Sequence, residues 1–393
     1  MKILFYSSKS TYSGKSFGGA ERSMTVMAEA MANMGHDVHF LSGRDNVRFA
    51  RAVRTKGNGV EIHFLPVFKF FFLRFDLFRK FSEYIRRRIF QNYLSKEFHD
   101  FDIVYAYNEY PGLFQIVEWR VKSRSRIKIV YRVAGLYLFE TSLEFHPNLK
   151  NKIEFLLMEV DLVNFNSVGM RELFFKKISK YFHGLNFRNE LLLDVGVKSS
   201  FANKQWLGFD KSVFTLVMVA KFGAYAKRQD LLIEAFGKWA KDDTRLILLG
   251  DGPRFEELNQ VCNSHVFLST HVEFQGFVDS EQIVNELTTA SVFCLCTDSE
   301  GLSKSIAEAM SIGVPLLVSN VSAINTYITN NENGILVDNT VEAWVLALDK
   351  MYNASKQELE ALSEREIAYA KEHFDVEINA KKYIEAFESL VQS

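Results

Sequence analysis

Two glutamates stand eight residues apart in "TDSEGLSKSIAEAMSIGVP", residues 297–315: Glu300 and Glu308. Glu300 follows "SVFCLCT", an apolar run that reads as a buried strand, and Glu308 falls inside the helical pattern after it. Eight helical residues make a little over two turns. Both carboxylates would then lie on nearly one side, over ~12 Å of rise. Between them, the backbone N–H groups of Gly301, Leu302 and Ser303 occupy the expected helix start, where free donors and the dipole favour an anion. This combination suits a nucleoside diphosphate sugar, whose hydroxyls donate to carboxylates and whose diphosphate suits the helix end. The plainer reading is a Glu favoured by the dipole near a helix start and a second Glu on a solvated face.

Cations accompany the acids. Lys221 follows the strand-like "FTLVMVAKF", and Lys227 and Arg228 immediately precede the helical "RQDLLIEAFGKWAK". Positive charge at a helix N-terminus opposes the macrodipole, so it needs a reason, and a bound diphosphate would be one. Exposed loop lysines are the ordinary alternative. "LGDGPRFEEL" adds a glycine turn that feeds a helix, a weak signal by itself.

The N-terminal "KSTYSGKSFGGAERSM", residues 8–23, contains a Gly-Lys-Ser, but a phosphate loop of the G-x-x-x-x-G-K-[ST] kind needs Gly where the chain has Lys9. What remains is a strand at 2–7, a loop with Gly14, Gly18 and Gly19, and a helix over 16–34 ending at Gly35. The glycines either only let the loop turn, or leave room for a ligand to touch backbone at a helix N-terminus.

The elements that must position these groups alternate. Strands are expected at 2–7, 37–42, 60–65, 102–106, 127–131 and 161–165, and a cleaner strand–helix series runs from 213 onward. Such alternation means βαβ units and parallel sheets, here two Rossmann-like α/β halves. Ligands bind such sheets at the carboxyl ends of the strands, and a cleft between two halves is a common site. The expected division is 1–200, 201–375 and a C-terminal helix, 376–393, returning to the first half. At 393 residues and a net charge of −1, no global field points to nucleic acid. Cys262, Cys294 and Cys296 offer neither a disulfide framework nor zinc spacing and read as core. The chain opens directly into a strand and has no apolar run of the ~18 residues that span a bilayer, so a cytoplasmic location is expected.

The ordered motifs carry a resemblance. "SEGLSKSIAEAMSIGVPLLVS" resembles the E-x7-E signature of the retaining family-4 glycosyltransferases of GT-B fold. "VAKFGAYAKRQDLLIEAF" is similar to that family's donor-diphosphate segment, and "LLGDGP", "VEFQGFV" and "NENGILV" recur there in this order. "FGGAERSMTVMAEAMANMGHDVHFLS" resembles its first strand–loop–helix unit. The likeness is strong over 213–340, good over 1–42 and faint over 50–200. It implies that Glu300 contacts hydroxyls of the transferred sugar and Glu308 holds the ribose. Lys221 and Lys227 would neutralise the diphosphate leaving group. Gly18 and Gly19 would let backbone approach the donor phosphates, and Val278 would lie near the base. The donor would be a UDP- or GDP-sugar, with no metal or other cofactor, and reaction would proceed with retention. The chain departs from the family where many members carry Arg in place of Lys221. It also departs after an N-domain strand, where "IVYRVAGLY" lacks the usual His, so no general base is assigned.

One stretch stands apart. In "KFFFLRFDLFRKFSEYIRRRIF", residues 69–90, Phe71, Phe75, Phe78, Phe81, Ile85 and Ile89 fall on one helical face. Seven cations against two anions leave a local charge of +5, which suits an anionic membrane surface. A core-packed helix with a basic solvent face accounts for the same stripe. In the resembling family many members glycosylate lipid-linked acceptors from the cytoplasmic face. The sequence thus points to a peripheral membrane glycosyltransferase moving a hexose to an acceptor hydroxyl, on a lipid-linked or other saccharide. The rival readings are a sugar-nucleotide 2-epimerase of GT-B fold and a non-catalytic membrane scaffold.

Overall fold

The computed structural model describes residues 1–8, 10–13, 19–43, 49–50, 52–65, 67–68, 76–107, 112–133, 135, 149–208, 212–223 and 226–393; at 49–50, 67–68, 76–83 and 199 it describes the backbone. The chain forms two compact units, Met1–Val195 with Val376–Ser393, and Gly196–Asp375.

The N-terminal unit runs β1 (Lys2–Ser7), α1 (Gly19–Asn33), β2 (Asp37–Ser42), β3 (Phe49–Ala50), β4 (Val53–Gly57), β5 (Val60–Phe64), β6 (Val67–Phe68), α2 (Asp76–Glu97), β7 (Ile103–Tyr107), α3 (Gly112–Ser123), β8 (Lys128–Val133), α4 (Lys150–Glu159), β9 (Leu162–Phe165), α5 (Val168–Ile178) and β10 (Glu190–Leu192). Its main sheet has the order β10-β9-β8-β7-β1-β2-β5-β4. All its pairings are parallel except β4–β5. β1, "KILFYS", is buried over its last five residues, as expected of a strand covered on both faces.

Beyond α1, Gly35 takes φ +89° and its N–H bonds the Ala32 carbonyl at 2.9 Å, which closes the helix at a left-handed glycine. The edge hairpin β4–β5 was not expected. Its turn is Asn58-Gly59, with φ of 49° and 80°, a strong hairpin signal in the sequence. The exposed Arg54 and Lys56 guard that edge.

The second unit runs α6 (Ser199–Ala202), β11 (Phe214–Val219), α7 (Gln229–Trp239), β12 (Thr244–Leu249), α8 (Phe255–Asn263), α9 (Leu268–His271), β13 (Val272–Gly276), α10 (Ser280–Thr289), β14 (Val292–Leu295), α11 (Lys304–Ile312), β15 (Leu316–Ser319), β16 (Ile335–Val337), α12 (Val341–Asn353) and α13 (Lys356–His373). Its six-stranded sheet has the order β13-β12-β11-β14-β15-β16 and is parallel throughout. Cys262, Cys294 and Cys296 are buried and free; burial pushes the Cys262 thiol up to about 11. The final helix, α14 (Val376–Gln392), belongs to the N-terminal unit. Its Tyr383 hydroxyl lies 2.8 Å from Asn164 Oδ1 and 2.7 Å from the Leu193 carbonyl oxygen, either of which can take its proton.

Candidate active site

In the second unit the strand order reverses between β11 and β14. The crevice outside the carboxyl ends of strands at such a switch point is where open α/β sheets bind ligands. The two charge-bearing loops read from the sequence leave these two strands. They are stitched together by backbone: Arg228 N–H donates to the Cys296 carbonyl at 3.0 Å and Asp298 N–H to the Ala226 carbonyl at 2.9 Å. Lys227 and Thr297 form an antiparallel bridge. The Thr297 hydroxyl lies within donating distance of the carbonyls of Ala226 and Ser299, at 2.8 and 2.9 Å, and its one proton serves either.

This stitching brings the Lys227 ammonium into an ion pair with Glu300. Both side chains are mostly buried, at 19% and 18% exposure. Desolvation draws the Lys227 ammonium down to about 7, while the adjoining carboxylate acts in the opposite sense and favours the charge. Arg228 is held by Asp230 and Asp298, with contacts of 3.2 Å to each. The cations ahead of α7 therefore have carboxylate partners from their own chain, a reason for their position that the sequence did not show.

Lys221 is exposed just past β11. Its segment runs against the "GDG" turn. A Cβ on Gly250 would meet the Ala220 carbonyl oxygen at 2.0 Å, and one on Gly252 the Phe222 carbonyl oxygen at 2.3 Å. These glycines permit that approach, and Phe222 N–H donates to the Asp251 carbonyl at 3.0 Å.

The acidic pair needs a correction. α11 begins at Lys304 with Ser303 as its N-cap, so Glu300 is not on the helix and the two-turn argument does not apply to it. Gly301, Leu302 and Ser303 precede the helix. Ser303 is 4% exposed, its N–H donates to the Tyr327 hydroxyl at 3.4 Å, and its Oγ lies 3.1 Å from Ser305 Oγ. Glu308 sits within α11 at 4% exposure, so the solvated-face alternative fails for it. Val278 packs into the hydrophobic core while its neighbour Phe277 is exposed. Gly19 opens α1 in the N-terminal unit, and Gly18 lies outside the described residues.

Sequence reasoning missed the supports. Asn339 Nδ2 donates to the Thr297 carbonyl at 2.9 Å and to Asp298 Oδ1 at 3.0 Å. Ser319 Oγ accepts from Thr297 N–H at 2.9 Å. Arg254 Nη1 reaches Asp230 at 3.3 Å. No local pattern marks partners so far apart in sequence. Asp100-Phe101-Asp102 reads D-x-D but is structural: Asp100 pairs with the Lys2 ammonium, and Asp102 accepts the Lys2 backbone N–H at 2.8 Å.

Of the basic stretch, 69–75 and the side chains of 76–83 lie outside the described residues. In the remainder, Phe90 is buried in the core and Arg87 pairs with Glu118, as a packed helix requires. Arg86 and Arg88 are exposed. Among the described residues no helix is long and apolar enough to cross a membrane.

The fold is that of the GT-B glycosyltransferases. HepE from Anabaena, solved with UDP, aligns over 99% of this chain and 100% of its own at 17% identity and TM-score 0.70. Sucrose-phosphate synthase from Thermosynechococcus elongatus aligns over 99% and 98% at 17% identity and TM-score 0.77.

Residues 200–373 match the family described as glycosyl transferases group 1, and residues 17–177 the family described as glycosyltransferase family 4. The second unit thus carries a group 1 glycosyltransferase domain and the N-terminal unit a family 4 glycosyltransferase domain. N-acetyl-alpha-D-glucosaminyl L-malate synthase of Bacillus anthracis is 25% identical over 332 residues, 82% of this chain and 81% of that protein. UDP-Gal:alpha-D-GlcNAc-diphosphoundecaprenol alpha-1,3-galactosyltransferase of Escherichia coli is 26% identical over 158 residues, 37% and 40% of the two chains.

Proposed function

We propose that this protein is a retaining, metal-independent hexosyltransferase that uses a UDP- or GDP-sugar. The observation that carries the reading is the Lys227–Glu300 pair at the β11/β14 switch point. A donor diphosphate engages the ammoniums of Lys221 and Lys227, whose charge stabilises the leaving group as its negative charge grows in the transition state. Glu300, released from Lys227, accepts hydrogen bonds from the transferred sugar. Glu308 receives the ribose hydroxyls, and the backbone at Gly301–Ser303 lies beside the phosphates.

The acceptor is a hydroxyl on a lipid-linked saccharide, reached from the inner face of a membrane. The E. coli relative, whose name specifies a diphosphoundecaprenol-linked substrate, supports this class. So do the exposed Arg86 and Arg88, which suit an anionic surface.

Calorimetric titration of UDP, GDP and their sugars, with chelator present, tests the donor half. Saturable binding of one nucleotide, weakened in Lys227→Ala, is expected. Binding that needs added divalent metal, or that ignores Lys227, overturns it.

A further inference from the structure

In the N-terminal unit, β2 and β5 pair in parallel, with His39 opposite Glu61 and Leu41 opposite His63. Alternation along each strand puts Asp37, His39, Glu61 and His63 on one sheet face. Val38, Phe40, Ile62 and Phe64 fill the core on the other. Rings from Tyr93, Phe98 and Phe101 cover the two imidazoles edge-on. His39 Nδ1 lies 2.8 Å from His63 Nε2, with the rings 25° from parallel. Glu61 Oε1 lies 3.5 Å from His63 Nε2. One ligand atom from each of the three residues fits within a 4.8 Å span.

The outer nitrogens are engaged as well. His39 Nε2 lies 3.1 Å from Asp37 Oδ1, and His63 Nδ1 lies 3.0 Å from the Tyr93 hydroxyl. We propose that His39, His63 and Glu61 form a structural site for a first-row divalent transition metal, zinc foremost, beside the β4–β5 edge of this sheet.

Two imidazole nitrogens and a carboxylate are a donor set that suits zinc. Ligating histidines characteristically give their second nitrogen to a carboxylate or another polar group, which fixes tautomer and ring orientation; Asp37 and Tyr93 stand in those places. Zinc–nitrogen bonds of ~2.0–2.1 Å at a tetrahedral angle separate two nitrogens by about 3.3 Å, so the rings need part by only about half an ångström. Without metal, the Asp37 carboxylate calls for a proton on His39 Nε2, which leaves His39 Nδ1 to accept from His63 Nε2–H. When metal enters, that proton moves to His63 Nδ1 and is donated to the Tyr93 oxygen, so none is lost. Asp37, Glu61 and Glu97 bring negative charge; Arg54 pairs with Glu97 and also lies 3.9 Å from Glu61 Oε1, a contact that Glu61 gives up when it ligates the ion. Asp37 is 56% exposed and Glu61 33%, which opens a path for the ion and for a water as further ligand.

The donor residues belong to the other unit, so this proposal and the reading of the reaction fail separately. The test uses the full chain without an affinity tag, stripped with chelator, re-equilibrated with zinc and gel-filtered. One zinc retained per chain and a higher unfolding temperature are expected, and cobalt(II) should give a visible d–d band. His39→Gln and Glu61→Gln should abolish retention. Asp37→Asn, at an exposed position, should fold normally and weaken zinc binding by about 10–100-fold. No retention by the native chain, or equal retention by His39→Gln, would mean that the two rings are only a hydrogen-bonded pair.

Discussion

Lys227 and Glu300 meet as an ion pair although each leaves a different strand of the second unit. Each neutralises the other before any ligand arrives, so a donor must exchange partners with both. Removing Glu300 should therefore act on turnover more than on donor affinity. In Glu300→Ala, transfer should fall by about 10²–10³-fold or more, the scale of losing one transition-state contact, while donor binding stays largely intact. Steady-state kinetics beside calorimetry checks this; unchanged turnover would remove Glu300 from the reaction.

The same pair predicts a pH dependence. The ordinary Lys value is 10.5 and burial lowers Lys227 to about 7, so donor affinity should weaken as pH rises through the folded value and the ammonium is lost. Glu300→Gln removes the charge that favours the ammonium, and the decline should begin at lower pH. Folding responds in the other direction. The unfolded chain holds this proton up to 10.5, so the contribution of Lys227 to stability should rise with pH between the two values. Binding isotherms and denaturation midpoints from pH 6 to 9, compared with Lys227→Met, test both signs.

Gly250 and Gly252 have φ of +141° and +155° and lie under the Ala220 and Phe222 carbonyls. Alanine at either position is strained and also clashes with backbone, so each substitution should cost about 1–3 kcal/mol and displace the Lys221 segment. Gly276→Ala is the control: φ is +68° and nothing lies within 4 Å of its added Cβ, so it should cost about 1 kcal/mol. Urea denaturation of the three variants ranks them.

Glu366 is fully buried; its Oε1 accepts the Leu316 N–H at 3.0 Å. Burial raises its carboxyl well above 4.5. The folded state then binds the proton more tightly than the unfolded chain. Its contribution to stability is complete below the unfolded value and declines as pH rises toward the folded one. Glu366→Gln should flatten that part of the stability–pH curve without loss of fold, whereas Glu366→Lys should unfold the second unit. Thermal melts across pH 4 to 8 decide it.

If the exposed Arg86 and Arg88 meet an anionic surface, Arg86→Ala with Arg88→Ala should reduce flotation with phosphatidylglycerol vesicles, most strongly at low salt. Arg87 is left intact because it pairs with Glu118. Equal flotation would assign the helix to packing alone.

Much of this protein is legible in its sequence. The apolar runs and their spacing give β1, β2, β5, β7, β8 and β9, and most of the strand–helix series from β11 to β15, because burial on both faces of a parallel sheet demands such runs; β16, α12 and α13 emerge only in the structure. Residue types and order also name Glu300, Glu308, Lys221 and Lys227. Only the tertiary structure decides what these groups touch. The strand order places the loops after β11 and β14 side by side, pairs Lys227 with Glu300 and supplies Asp298 and Asn339 beneath them. It also starts α11 at Lys304 and so takes Glu300 off the helix. Hydrophobic period is a local property that a window of sequence records; a contact between residues on different strands depends on sheet order and register, which no window contains.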